Sequence, residues 1–381
     1  SKVTHFTDFD VKFPSTDGKN IVFEKGGYIY LLNPSTKKAE KVSISLSSDN
    51  LYARSERLNL GDKVRTASVS PDGSRVAVTV RGEVFDVPAE KGVTRNISRS
   101  RGSNDRSGDW SPDGKYIAWI GDASGETEIY LYDVAEGSYK QLTTGADTYI
   151  RSIQWAPDSK HLLITDRKNR LDEVSLDGKR RNIQTNPHGE FRNVAYSPDS
   201  KWLAYTKTGS NHFDVVYLYN IADDKEYPIT DGWYDSGMPS FSSDGKYLLY
   251  TANTEMKPIY SRIEWNFAMT NMSATYMVML AKDTPSPLLP TDGVSPGGKD
   301  SGDKDSADKD SSDKNAEGKG SGKAGKKDKS ASEESKVKVV VDIDGLQDRV
   351  IKLPFNAGYN YFCDGKKVWY GSKGDTKVFD F

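Results

Sequence analysis

One short unit recurs along this chain, and its spacing constrains the fold more than any other feature. Ser70-Pro71-Asp72-Gly73-Ser74 returns as Ser111-Pro112-Asp113-Gly114-Lys115, Ala156-Pro157-Asp158-Ser159-Lys160, Ser197-Pro198-Asp199-Ser200-Lys201 and Ser242-Ser243-Asp244-Gly245-Lys246. The aspartates stand at 72, 113, 158, 199 and 244, so the intervals are 41, 45, 41 and 45 residues. Looser copies flank the series, Thr16-Asp17-Gly18-Lys19 upstream and Cys363-Asp364-Gly365-Lys366 downstream, which makes seven. A fixed period of this length marks a repeat architecture, in which no single unit can bury its own apolar surface.

Each copy has the same grammar. An apolar or aromatic residue sits three before the aspartate in six copies (Val69, Trp110, Trp155, Tyr196, Phe241, Tyr361), and in the first copy Phe13 sits four before. Asp-Gly or Asp-Ser then supplies a tight hairpin turn, because these residues tolerate the backbone it needs. A strand such as Tyr116-Ile117-Ala118-Trp119 follows, then a third such as Ile129-Tyr130-Leu131-Tyr132, and a fourth such as Lys140-Gln141-Leu142-Thr143. Four antiparallel strands per roughly 40–45 residues is the period of a propeller blade. The expectation is an all-β, seven-bladed β-propeller of four-stranded antiparallel blades with TolB/PD40-like repeats. Closing a ring would remove the bare sheet edges. A helical solenoid would need apolar spacing of three and four, which these segments lack.

The last interval, from Asp244 to Asp364, is 120 residues, so blade six is enlarged. After Tyr250 comes an insertion rich in aromatics and Met, Ile259 to Met279, with room for a short helix. Gly297 to Ser335 is almost entirely Gly, Ser, Lys, Asp, Ala and Glu, with no aromatic and no β-branched residue. Such a segment buries too little to offset its ordering entropy and reads as a disordered loop. Val337 to Asp342, read as a strand, and Arg349 to Pro354 then resume the ring. The domain reading is 1–290 for blades one to six, 291–336 for the low-complexity insertion, and 337–381 for the end of blade six and blade seven.

Composition narrows the function class. The net charge of −2 gives no basic field for nucleic acid or an anionic membrane. The one cysteine, Cys363, excludes an internal disulfide framework and a multi-cysteine metal site. The strongest apolar stretch, Tyr276 to Ala281, is far too short to cross a bilayer. The chain opens at Ser1 and stops inside a strand-like pattern, Thr376 to Phe381, and it reads as a piece of something longer.

Chemistry-bearing motifs are scarce. No Gly-x-Ser-x-Gly nucleophile elbow, no His-Glu-x-x-His and no Gly-rich phosphate loop before a helix is read here. The histidines, His5, His161, His188 and His212, lack metal-ligand spacing. Asp303, Asp305, Asp308, Asp310 and Asp313 alternate with lysines and lack the turn Gly and terminal Glu of a calcium loop. No catalytic residue, cofactor or metal site is assigned. One pattern goes beyond scaffolding. Seven residues before the turn aspartate, four consecutive blades carry arginine (Arg65, Arg106, Arg151, Arg192), and blades six and seven carry Gly237 and Ala357. These positions start the innermost strands. The four guanidinium groups then either form an arc at one channel mouth that grips peptide carboxylates and carbonyls, or pair with acids between blades.

Between residues 64 and 145 the sequence resembles one family. Arg81 to Pro88, Lys91-Gly92, Arg95-Asn96-Ile97-Ser98 and Asp109 to Lys115 resemble the second propeller of the tricorn peptidases. Asp344-Gly345-Leu346, Arg349-Val350, Leu353-Pro354 and Gly358-Tyr359 resemble the stretch where that propeller closes. The resemblance implies a large serine peptidase, cytoplasmic or alternatively periplasmic, built from two propellers, a PDZ-like module and a catalytic core. The seven-bladed ring would filter peptide substrates toward that core, and the full-length protein is a possible homo-oligomer. None of the core's motifs lies in these residues, so the chain alone is expected to be inactive. The propeller of a prolyl-oligopeptidase-type enzyme and a free-standing TolB-like interaction propeller remain alternatives.

Overall fold

The computed structural model describes residues 3–47, 59–100, 102–255, 269–289, 337–372 and 374–381. They form seven antiparallel sheets, each a simple meander in chain order, with two 3₁₀ turns, Gly61–Lys63 and Leu346–Arg349, beside them. Sheets one to six have four strands each, and their first strands are in turn Val11–Thr16, Val64–Val69, Arg106–Trp110, Ile150–Trp155, Phe191–Tyr196 and Ser236–Phe241. Sheet seven has three, Tyr361–Cys363, Lys367–Ser372 and Asp375–Asp380, where four were expected. Its third strand runs to the penultimate residue of the sequence. Seven such meanders are the blades of a β-propeller, and the fold is the all-β, seven-bladed class that the repeat predicts.

The repeat unit builds the turn through its own side chains. In sheet two Ser70 Oγ donates to Asp72 Oδ1 at 2.6 Å, and the same oxygen accepts the Ser74 N–H at 3.1 Å. Ser70 Oγ in turn accepts the Arg75 N–H at 3.0 Å, which starts the second strand. Ser111–Asp113, Ser197–Asp199 and Ser242–Asp244 repeat the bond at 2.7, 2.7 and 2.6 Å. An Asp side chain that satisfies backbone donors two residues on is an Asx turn, which explains why aspartate holds this position.

The chain divides into two units, Ser1–Asn59 and Leu60–Phe381. The first is sheet one, where Phe23 and Leu32 are buried and the Lys25 ammonium lies 4.5 Å from the centre of the Phe6 ring. The second holds sheets two to seven, and its core lies between sheets rather than within them. Ala77, Val84 and Ile97 of sheet two pack on Trp110, Ile117 and Trp119 of sheet three. The series continues with Ile120 and Ile129 against Trp155 and Leu162, Leu171 against Tyr196 and Leu203, Leu218 against Leu248, and Leu249 against Val368. Central strands such as Tyr116–Gly121 and Tyr247–Ala252 are therefore buried on both faces. In sheets four and five the aromatic three before the turn aspartate carries its polar tip to the sheet before it. Trp155 Nε1 donates to the Asp109 carbonyl at 3.1 Å, and Tyr196 Oη to Glu173 at 3.2 Å.

Sheet six departs from the expected insertion. Its third strand is Ala274–Met279, so the end of the Ile259 to Met279 segment is strand and not insertion. Its fourth strand is Val350–Lys352, inside the expected Arg349 to Pro354 stretch. Val337 to Asp342 is not a strand. Its backbone is drawn off by other partners: the Val339 N–H goes to Asp199 of sheet five at 3.0 Å, and the Asp342 N–H to the Leu280 carbonyl at 3.0 Å. Val339 fills the core between sheets five and six. The low-complexity segment Gly297 to Ser335 and the expected helix region up to residue 268 lie outside the described residues.

Candidate functional site

The first strands of sheets two and three, three and four, five and six, and six and seven lie against one another, so the first strand is the converging edge of each sheet. Every first strand from sheet two to sheet six carries a register break against its second strand. These bulges bend the strand and re-aim its side chains. In sheets three, five and six the bulge includes a left-handed non-glycine residue, Ser107 (φ 56°), Asn193 (φ 49°) or Met238 (φ 58°). Each stands six before its turn aspartate, directly after the position where sheets two to five carry arginine.

The structure brings three of the four arginines into one chain of contacts. Arg106 sits over the Tyr149 ring, 4.1 Å from its centre, and donates through Nη1 to the Arg151 carbonyl at 3.3 Å and through Nη2 to the Ile150 carbonyl. Burial pulls its pKa below the ordinary guanidinium value. Arg151 pairs with Glu190, just ahead of sheet five. Arg192 bonds the same Glu190 through Nε at 3.2 Å and Asp214 through Nη1 at 3.3 Å. Arg65 is exposed and has no ion pair among the described residues. Sheets three, four and five are thus laced at their converging edge by guanidinium bonds. The acid at the centre of the lacing, Glu190, was not singled out by sequence, although it stands only two residues before Arg192.

The lacing leaves donors unspent. A guanidinium offers five N–H groups, and the Arg151 and Arg192 side chains remain 42% and 54% exposed. Beside Arg192, the first strands of sheets five and six and the approach to sheet seven border a shallow, open cavity of about 160 Å³, lined by Asn193, Val194, Met238, Pro239, Ser240, Tyr359 and Tyr361. None of these lining residues carries a formal charge.

No hydrolytic constellation is assembled among the described residues. Among the described residues no three His, Cys, Asp or Glu side chains are grouped to hold a metal. His161 meets Asp158 at 3.5 Å, next to its own turn. One Gly-x-Ser-x-Gly string does occur, Gly293-Val294-Ser295-Pro296-Gly297, which corrects the expectation that the chain holds none. It lies outside the described residues. Pro296 has no N–H for the oxyanion contact that a nucleophile elbow takes from the residue after its serine. The acidic run Asp303 to Asp313 also lies outside the described residues. No described helix is long and apolar enough to cross a membrane.

Comparison with known proteins bears on the family and the fold. A tricorn protease homolog of Saccharolobus solfataricus is 26% identical over 278 residues, which is 73% of this chain and 25% of that protein. Tricorn protease homolog 1 of Streptomyces coelicolor is 24% identical over 290 residues, 74% of this chain and 27% of that protein. The chain therefore spans about a quarter of the length of these relatives. The crystal structure of the tricorn protease superposes with a TM-score of 0.59 at 19% identity, over 97% of this chain and 32% of that one, a likeness of fold. Residues 64–365 match the family described as the tricorn protease second beta propeller domain, from the first strand of sheet two into the turn of sheet seven, and the chain belongs to that family.

Proposed function

We propose that this chain is the substrate-admitting propeller of a longer serine-type peptidase, acting on peptides and leaving bond cleavage to residues outside it. The observation that carries this reading is the basic converging edge, where Arg65, Arg106, Arg151 and Arg192 stand at equivalent positions of successive blades with guanidinium donors to spare. An extended peptide exposes carbonyls along its length and carboxylates at its acidic side chains and C-terminus. Planar guanidinium groups recognise both without reading sequence. Family membership supports the peptidase setting, and the chain's share of its relatives leaves ample length for a catalytic core and a second propeller. Assembly into a homo-oligomer and a cytoplasmic setting belong to the same proposal.

The lacing decides which variants test it. Arg106 and Arg151 join sheets, so their loss mixes stability with binding. Arg65 and Arg192 are the better probes, being more than half exposed or unpaired. The 381-residue chain is titrated with fluorescein-labelled acidic peptides. It should bind them with an affinity that falls as salt is raised. The variant Arg65→Gln/Arg192→Gln should bind about tenfold more weakly, with its thermal midpoint within a few degrees of the parent's. Unchanged affinity in that variant, or the same affinity at low and high salt, overturns the reading.

A further inference from the structure

The cavity beside the arginines differs from them in chemistry, and two residues of its backbone are held left-handed. Asn193 and Met238 occupy the same place in adjacent first strands, and both are held left-handed, a conformation that non-glycine residues keep only when their surroundings impose it. In sheet six the bulge sets two residues, Met238 and Pro239, opposite one, and the Tyr361 hydroxyl donates to the Met238 carbonyl and fixes it. With its hydroxyl consumed, Tyr361 contributes to the lining as an aromatic whose polar tip is already satisfied. Tyr359 stands at the rim, 80% exposed, a large aromatic with no packing role in the core. Arginine gives way at this part of the edge to Gly237 and Ala357. The converging edge therefore has a basic stretch from sheets two to five and an uncharged, aromatic-walled cavity from sheets five to seven.

We propose that this cavity is a side-chain subsite that takes one aliphatic or aromatic residue of a peptide whose acidic groups lie on the arginines. The inference rests on the peptide-binding reading above and adds a preference to it. Size and chemistry agree. A cavity of about 150 Å³ holds a benzene-sized ring, and the volume here is about 160 Å³. Met238 supplies an adaptable thioether wall. Tyr359 supplies apolar area with few rotatable bonds to immobilise. An acidic side chain placed here would lose water and gain no cation from the lining, so the cavity selects against charge.

Tyr359→Ala tests this, because the residue is exposed and its removal spares the core. Two fluorescein-labelled acidic peptides of equal length and charge are compared on the full chain, one carrying Phe and the other Ala at a central position. The parent should bind the Phe peptide about tenfold tighter. In Tyr359→Ala the preference should fall below about threefold, while affinity for the Ala peptide, its salt dependence and the unfolding midpoint stay at parent values. Equal affinity of the parent for both peptides, or a preference that survives Tyr359→Ala, overturns the subsite and leaves the arginine reading standing. If neither peptide binds the parent, both readings fall.

Discussion

Ser159 and Ser200 stand where the other five repeats have glycine, and both are left-handed (φ 58° each). Each serine hydroxyl accepts an N–H from the turn of the preceding sheet, Ser159 from Asp113 at 3.0 Å and Ser200 from Asp158 at 3.1 Å. The strain of a left-handed serine is thereby offset by a bond between blades that glycine cannot make. The ladder stops at sheet six. There a Cβ on Gly245 would come within 2.7 Å of Val339 Cγ2, and the next rung is the Val339 N–H on Asp199 instead. Ser200→Ala keeps the strain and loses the bond, so it should destabilise by about 1–2 kcal/mol, whereas Ser200→Gly relieves one as it loses the other and should stay within about 0.5 kcal/mol. Gly245→Ser should be the most damaging of the three. Denaturant midpoints of the three variants check the ranking.

At the scale of elements, the return of the chain into sheet six depends on one side chain. Arg349 closes the second 3₁₀ turn and donates through Nε to the Met279 carbonyl at 3.0 Å, through Nη2 to the Leu280 carbonyl at 3.2 Å, and through Nη1 to the Asp344 carbonyl at 3.0 Å. These carbonyls end the third strand and begin the segment that leads to the three-residue fourth strand, Val350–Lys352. Nη2 also donates to the Asp342 carbonyl, and four bonds in a forked arrangement suit guanidinium and not ammonium. Arg349→Ala should cost about 2–4 kcal/mol, and Arg349→Lys should recover little of it. Protease sensitivity of the 337–352 segment, followed beside the unfolding midpoint, would show whether the loss begins there. A lysine variant as stable as the parent would mean that charge alone is enough.

At the scale of the whole molecule, proton binding sets limits on both sides of neutrality. Hydrogen bonds from Ser70 and Ser74 hold the Asp72 carboxyl down at about 2, and Asp113, Asp177 and Asp364 of other turns also lie below the usual carboxylate range. A depressed carboxylate contributes stability above its ordinary value near 3.8 and loses it as pH falls toward 2. On the alkaline side, burial pushes the Cys363 thiol up to about 11 and raises the Tyr196, Tyr205 and Tyr361 hydroxyls well above their ordinary value. For Cys363 the folded state holds the proton more tightly, so its share of stability is intact below about pH 9 and drains away as pH approaches 11. Unfolding midpoints should be flat between about pH 5 and 8.5 and fall on either side. Cys363 should react with a disulfide reagent at pH 8 only after unfolding. A native thiol that reacts at once would mean sheets six and seven part in solution.

Sequence by itself determined the number of sheets, the strand order within them and the residues of each turn, because those are local matters. An Asx turn needs only Ser, Asp and the next few residues, and its recurrence counts the sheets without any knowledge of packing. The arginine positions were legible for the same reason, as a fixed offset from the turn. What the arginines touch was not. Arg151 and Arg192 meet at Glu190, and Arg106 reaches carbonyls 44 and 45 residues away, because adjacent first strands converge and bulge. The fate of Val337 to Asp342 was likewise decided in three dimensions. Its valines read as a strand, but Asp199, from 140 residues earlier, takes the Val339 N–H, and the gap between sheets five and six takes the side chain. Periodicity reports what a segment can form. Which neighbour claims its donors is set by the packing of sheets whose residues lie one repeat or more apart.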